Sequence, residues 1–395
     1  MRTINFFTPV IPHSTYSEIH PTKSKIIQFA ENYFNLDGEE AHCMDSGEDR
    51  LHKIKLTTSS NNHSSCSAVK AFKIASYFTL VCPLVALTIK GAHRWNNSFY
   101  VPISTPLADR VPYKLFPQQC GAPRYNDLQM KAAHNSFDKG SLSSQLTFSK
   151  SNPWEGGCLA VELDLVQNPK KSSSKDTWEF VLQHGSTYSP TSRSLPDALK
   201  EINKWSEREG DHLPITIHLD LKETCFYGND RNFAKKLDFV IEKVIPRRKI
   251  ITPSEIKQNK QSLQESVQST GWPKIEDIKG KFIFVITGAD TDLKVANRRT
   301  AYLNESNKNN HLAFVDMDQR AITSLDQALL LEKNRIFLNV KLGSKNWKKL
   351  VTQAQKEKLV TRIWKANTPE QWDQCIDSVN IIATDKIFGS PWACL

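Results

Sequence analysis

Missing from this chain are the loops that mark the commonest nucleotide and acyl chemistries. There is no Walker-type G-x-x-x-x-G-K-[ST] loop, no G-x-G-x-x-G turn and no G-x-S-x-G elbow, so nucleotide hydrolysis and a serine hydrolase lack support. Paired cysteines are missing too. Cys43, Cys66, Cys82, Cys120, Cys158, Cys225, Cys375 and Cys394 are scattered, without a C-x-x-C pair or zinc-finger spacing, and read as ordinary thiols rather than a disulfide framework. Only one apolar run approaches spanning length, which excludes a polytopic membrane protein. Acidic residues are absent from 51–100, which hold 6 basic side chains, whereas 1–50 hold 8 acidic and 4 basic ones.

What is present is a globular balance, 39% hydrophobic and 24% charged over 395 residues. At roughly 100–200 residues per domain, this length allows two or three units, or one large barrel with an appendage. Lys and Arg number 52 against 42 Asp and Glu, a formal charge of +10 that favours anionic partners: phospholipid headgroups, phosphate esters or nucleic acid.

The N-terminal part reads differently from the rest. Residues 1–70 form a weakly structured region whose segment 57–66 is a polar, low-complexity linker. A hydrophobic helix is expected within 71–94. Its uncharged core, 74–89, is flanked by Lys70 and Lys73 before and by Lys90 and Arg94 after. Sixteen residues make a helix of about 24 Å, short of the roughly 30 Å hydrocarbon core. Snorkelling lysines lengthen it and Pro83 kinks it, so a membrane anchor and a helix packed on the following domain both stay open.

From about residue 110 short apolar runs alternate with amphipathic stretches. Strands are expected at 128–133, 159–165, 180–182, 215–219, 282–286, 336–340, 361–364 and 380–383, with 311–317 as a ninth candidate. Between them, 195–208 places Leu195, Ala198, Leu199, Ile202 and Trp205 on one helical face, with Ser194 as N-cap. Segments 232–245 and 369–376 are similar. The expected fold is α/β, a (β/α)8 TIM-like barrel over 110–395 with some irregularity, preceded by the extension and its helix.

The chemistry-bearing residues fall at the ends of the first four expected strands. His134-Asn135-Ser136 follows the first, Glu162 and Asp164 lie in the second, His184 follows the third and Asp220 ends the fourth. C-terminal strand ends converge on one face of a barrel. Glu162 and Asp164, two apart, point the same way, and uncompensated carboxylates there are costly unless a cation joins them. Asn135, Glu162, Asp164 and Asp220 offer oxygen alone, the donor set of Ca2+ or Mg2+. Two histidines beside such a cation suit phosphoryl transfer. Each residue also has a bland reading: a solvated histidine, an exposed Glu-x-Asp face, or Asp220 as a helix N-cap.

Taken together, His134-Asn135-Ser136, Val161-Glu162-Leu163-Asp164, Gln183-His184-Gly185-Ser186-Thr187 and Leu213-Pro214-Ile215-Thr216-Ile217-His218-Leu219-Asp220 resemble the catalytic half of phosphoinositide-specific phospholipase C. The type most similar is the bacterial, calcium-dependent single barrel, over about residues 115–390. The resemblance implies cleavage of a phosphatidylinositol or phosphoinositide to diacylglycerol and an inositol phosphate, cyclic or hydrolysed. It implies Ca2+ on Asn135, Glu162, Asp164 and Asp220, with Glu162 or Asp220 also taking the hydroxyl proton. His134 would stabilise the phosphorane and His184 would protonate the leaving glycerol oxygen. Arg362-Ile363-Trp364 looks like the family's Arg-x-Tyr, implying a phosphate contact by Arg362 and a stack of Trp364 on the inositol ring; a surface cation and a core filler are the alternatives.

Three departures accompany this likeness. Asp220 stands where animal enzymes carry Glu, Trp364 replaces Tyr, and Val285 and Thr287 stand where those enzymes use lysines for ring phosphates. The last favours an unphosphorylated or monophosphorylated headgroup. A monomer acting on lipids of an anionic membrane, not on nucleic acid, is expected, either membrane-associated or secreted. The basic stretch 235–260 reads as a solvated helix face or as a membrane contact. Two other readings compete: a glycerophosphodiester phosphodiesterase, whose His-Arg-Gly motif is not found here, and a non-catalytic, membrane-tethered phosphoinositide-binding barrel.

Overall fold

Eight runs of alternating or continuous apolar residues cannot each bury both faces unless the sheet they form closes on itself. The computed structural model describes residues 111–116, 121–168, 179–184, 192–222, 232–304, 311–322 and 324–395. The expected N-terminal region and its hydrophobic helix lie outside the described residues. Among the described residues, no helix is long and apolar enough to cross a membrane.

The strands are β1 (Tyr113–Leu115), β2 (Leu128–Ala133), β3 (Ala160–Asn168), β4 (Glu179–Leu182), β5 (Ile215–Leu221), β6 (Phe282–Gly288), β7 (Ala313–Val315), β8 (Met317–Asp318), β9 (Phe337–Lys341), β10 (Val360–Trp364) and β11 (Ile381–Thr384). Parallel pairing runs in the order β7-β6-β5-β3-β2-β11-β10-β9-β8. β7 and β8 end that path, yet a single residue, Asp316, separates them in sequence. The segment 313–318 is therefore one broken stave. Its first half pairs with β6 and its second half with β9. Counted this way the ring has eight staves, as expected, and the ninth candidate is the fifth of them.

The expected third strand is not a stave. β3 pairs with β5 from Ala160 to Leu165 and then runs on to Asn168, where β4 joins it antiparallel. A strand longer than its neighbours leaves an unpaired edge, and β4 fills it. Asp220 consequently ends the third stave rather than the fourth. β1 fills the opposite kind of gap, pairing antiparallel with the start of β2.

Helix α1 covers Leu142–Leu146, and α2 (Leu195–Glu209) buries Leu195, Ala198, Leu199, Ile202 and Trp205, the face expected. Ser194 caps α2 by accepting the Asp197 N–H at 3.2 Å, satisfying one of the free donors of its first turn. α3 (Phe233–Val244) also falls where periodicity places it, whereas the helix expected at 369–376 is only Pro369–Asp373.

The N-terminal end of the barrel is closed by aromatics. Trp272 lies 5.3 Å from both Tyr125 and Phe337, and Phe314 lies 5.3 Å from Phe337. Each contributes roughly 1.5–3 kcal/mol by leaving water. Polar groups are thereby left to the other end. A separate ionic cluster holds the broken stave: Arg299, on the helix Leu293–Asn304, is fully buried and pairs with Asp290 and Asp316. Arg335 reaches Asp290 Oδ2 at 2.9 Å, and the Asp290 N–H donates to Asp318 Oδ2 at 2.9 Å. Gly288 ends β6 at φ 146, where a Cβ would meet Val295 Cγ1 at 2.7 Å, so only glycine lets this helix pack so close.

Candidate active site

The C-terminal strand ends bring all eight candidate residues into one network. Glu162 and Asp164 alternate inward along β3, and Asp220 does so on β5, its register partner opposite Asp164. Oxygen atoms of Glu162, Asp164 and Asp220 all lie within 4.8 Å of one another. Glu162 Oε2 accepts the Asn135 backbone N–H at 3.1 Å and lies 2.9 Å from Arg362 Nη2 and 3.7 Å from His134 Nε2. Asn135 takes φ 52, ψ 52, the left-handed conformation that asparagine tolerates, and this turns its N–H toward Glu162.

Each histidine is held through Nδ1 by a carboxylate. His134 meets Asp385 Oδ1 at 2.8 Å and His184 meets Asp164 Oδ2 at 2.5 Å. A carboxylate on Nδ1 makes that nitrogen the donor and leaves Nε2 for the mouth of the barrel. The two sites differ in access, since the His134 side chain is 8% exposed and that of His184 66%. Trp364 stacks near-parallel on His134, with centroids 5.8 Å apart and planes 11° apart.

Arg362 is not a surface cation. It is 2% exposed, pairs with Glu162 and donates from Nη1 to Asn339 Oδ1 at 2.9 Å. Lys341 and Lys365 lie 5.8 and 5.7 Å from the Trp364 ring centre, and Arg320 lies 6.0 Å away. Val285 and Thr287 are fully buried, Thr287 Oγ1 accepting from Asn339 Nδ2 at 2.8 Å.

Several neighbours escaped sequence reasoning. Lys222 Nζ lies 3.2 Å from Asp164 Oδ1 and also donates to Asp220 Oδ2. His218 is 1% exposed beneath Glu162, with no hydrogen bond to either ring nitrogen among the described residues. Both were legible in principle, two positions either side of Asp220 on the same strand face. Asp385 and Asn367 carried no such signal, because they come from the far end of the chain. Asn367 Nδ2 donates to Asp385 Oδ2 at 2.6 Å and so fixes the carboxylate that holds His134.

Charge around the triad is unequal. Burial opposes ionisation of Glu162, but Arg362, then His134 and Lys222, outweigh it and hold this carboxyl far below the usual carboxylate range. Asp164 goes the other way: burial, with Asp220 and Glu162 adding to it against Lys222, pushes it up to about 8. A buried acid at that level beside two others is the environment that a divalent cation relieves. The donors are oxygen throughout and the residues fit a hard cation such as calcium.

Asp385 is also held low. Burial works against this, but the hydrogen bond and charge of His134, with Asn367, prevail. Its ionised form therefore adds stability that is complete above the unfolded value of about 3.9 and is lost as pH falls below it. The melting-temperature gap between the wild type and Asp385→Asn is expected to shrink below about pH 4. A gap of constant size down to pH 3 would contradict this pairing.

Residues 184–331 match the model of the family described as phosphoinositide phospholipase C, Ca2+-dependent. The barrel is similar to the calcium-dependent phosphoinositol-specific phospholipase C of a Gram-negative Pseudomonas species in a myoinositol complex. That likeness has 19% identity and a TM-score of 0.52, over 68% of this chain and 92% of that one. It is similar also to the Ca2+-dependent phosphatidylinositol-specific phospholipase C of Streptomyces antibioticus, at 13% identity and a TM-score of 0.51, over 69% of this chain and 98% of that one. At such identities the likeness carries the fold. No curated protein matches the chain. The segment 184–331, which carries His184 and Asp220, is thus similar to the Ca2+-dependent phosphoinositide phospholipase C family, and the fold that brings Asp220 to Glu162 and Asp164 is similar to that of calcium-dependent enzymes of that kind.

Proposed function

We propose that this chain cleaves the glycerol-side phosphodiester bond of phosphatidylinositol or a phosphoinositide, releasing diacylglycerol and an inositol phosphate. The observation that carries this reading is the pair of histidines, each oriented by a carboxylate through Nδ1, flanking three carboxylates in one barrel mouth. Asn135, Glu162, Asp164 and Asp220 would hold Ca2+, which when bound makes the attacking hydroxyl more acidic and offsets phosphoryl charge.

The chain's own groups do the rest. The inositol 2-hydroxyl oxygen bonds to phosphorus while its proton passes to Glu162 or Asp220. Arg362 keeps Glu162 ionised, which suits this carboxylate to holding a cation and makes it a weak proton acceptor. His134, braced by Asp385 and covered by Trp364, presents Nε2 to the phosphoryl oxygens. As the phosphorus–glycerol oxygen bond breaks, His184 Nε2 gives its proton to the departing oxygen, forming diacylglycerol. Water entering by the same route in reverse opens the 1,2-cyclic phosphate. Trp364, with Arg362 beside it, forms a face for the inositol ring, and the net charge of +10 suits an anionic membrane surface, where a monomer would work.

The test is product analysis on vesicles of phosphatidylinositol and its phosphorylated forms, with calcium or EGTA. We expect EGTA or Asp220→Asn to reduce diacylglycerol release at least a hundredfold, with phosphatidylinositol the better substrate than its bisphosphate. Release that continues unchanged in EGTA would remove the calcium reading.

A further inference from the structure

Lys222 has no place in the mechanism above, yet it sits at its centre. It follows Asp220 by two residues, so the end of β5 turns both side chains the same way. Its ammonium lies 3.2 Å from Asp164 Oδ1 and also donates to Asp220 Oδ2, two of the three carboxylates that come within 4.8 Å of one another. Glu162 has Arg362 at 2.9 Å as its own counter-charge. Lys222 is therefore the cation that serves the other two. Asp164 Oδ1 accepts no hydrogen bond among the described residues and has the ammonium beside it, while Oδ2 is taken by His184 Nδ1 at 2.5 Å.

We propose that Lys222 is a tethered counter-cation that competes with calcium for Asp164 and Asp220, so that calcium binds by displacing the ammonium. A divalent ion held by these carboxylates would compete with the ammonium for the same oxygens, and like charges repel strongly in a partly buried site. A lysine suits the role because its point charge sits on a flexible four-carbon stem that can swing away; an arginine would grip two carboxylate oxygens at once. The displaced ammonium then stands at the barrel mouth. The consequence is a calcium threshold: the site fills only at concentrations high enough to outcompete an internal cation, and the carboxylates are never left without a counter-charge.

The inference rests on the reading of Glu162, Asp164 and Asp220 as the calcium site, and the experiment separates the two. Calcium chloride is titrated calorimetrically into the full chain as wild type, Lys222→Gln, Lys222→Arg and Asp220→Asn. Lys222→Gln is expected to bind calcium at least tenfold more tightly, and to gain more in melting temperature on calcium addition than the wild type. Lys222→Arg is expected to bind severalfold more weakly, which keeps the test alive if the glutamine variant fails to fold. Equal or weaker binding by Lys222→Gln, or tighter binding by Lys222→Arg, overturns the competition while leaving the site in place. Binding by Asp220→Asn as tight as wild type, or no heat from any variant, overturns the site and the competition with it.

Discussion

His134→Ala is expected to lower diacylglycerol release from phosphatidylinositol vesicles by on the order of 10³-fold, the usual contribution of a positioned acid–base or charge-stabilising imidazole. The expectation rests on how many groups are spent in placing this ring. Asp385 holds Nδ1 at 2.8 Å, Asn367 holds Asp385 at 2.6 Å, and Trp364 covers one face. Nε2 is left 3.7 Å from Glu162 Oε2, facing the carboxylate cluster. Loss of the ring should leave calcium binding within about threefold of wild type, since none of the cluster's oxygens belongs to it. His184→Ala should lose a similar factor, but with more of it recoverable on a substrate whose leaving group needs no proton. Release by His134→Ala within tenfold of wild type, from protein that melts normally, would sink the assignment.

Arg299→Leu should destabilise the barrel by about 3–5 kcal/mol, as removing one partner of a buried pair generally does. Arg299 is fully buried and serves Asp290, Asp316 and the Gly288 carbonyl, the last at 3.0 Å. Without it Asp316, itself 1% exposed, faces the interior as an unpaired carboxylate. Burial already pushes the Asp316 carboxyl up to about 7, against the pull of Arg299. A carboxyl raised in the folded state favours the protonated form there; its contribution is whole below about pH 4 and is lost as pH rises through 7. The cost of Arg299→Leu should accordingly be larger at pH 8 than at pH 5, where Asp316 can take a proton instead. Denaturant melts at both pH values check this. A cost under 1 kcal/mol, or one independent of pH, would show that the cluster does not hold the stave.

Much of this was legible because a parallel barrel writes itself as repeated apolar runs. The strand at 128–133 was placed to the residue, and the helical face Leu195, Ala198, Leu199, Ile202, Trp205 is the one buried. Direction was not legible. Residues 180–182 have the composition of a stave, and only pairing with the overhang of β3 shows them running antiparallel outside the ring. The site divided similarly. Glu162, Asp164 and Asp220 converge by alternation along two strands, which sequence displays. Lys222 and His218 obey the same alternation but have no fixed chemistry to draw the eye. Asp385 is 251 residues from the histidine it holds, and a contact between the first and last staves, side by side only once the ring closes, leaves no trace in local pattern.

The break at Asp316 bears on the site from a distance. A closed sheet ordinarily binds every strand to one common stagger. Here three pairs on one side and two on the other are separated by a residue belonging to neither ladder, so the two arcs of the ring need not agree in offset. Asp316 is in this sense a dislocation in the sheet. It lies at both ends of the pairing order whose middle member is β2, with β3 next to it, placing it across the ring from His134, Glu162 and Asp164. The break is held on the far side by Arg299, while β2, β3 and β5, which carry His134, Glu162, Asp164 and Asp220, pair without an interrupted strand.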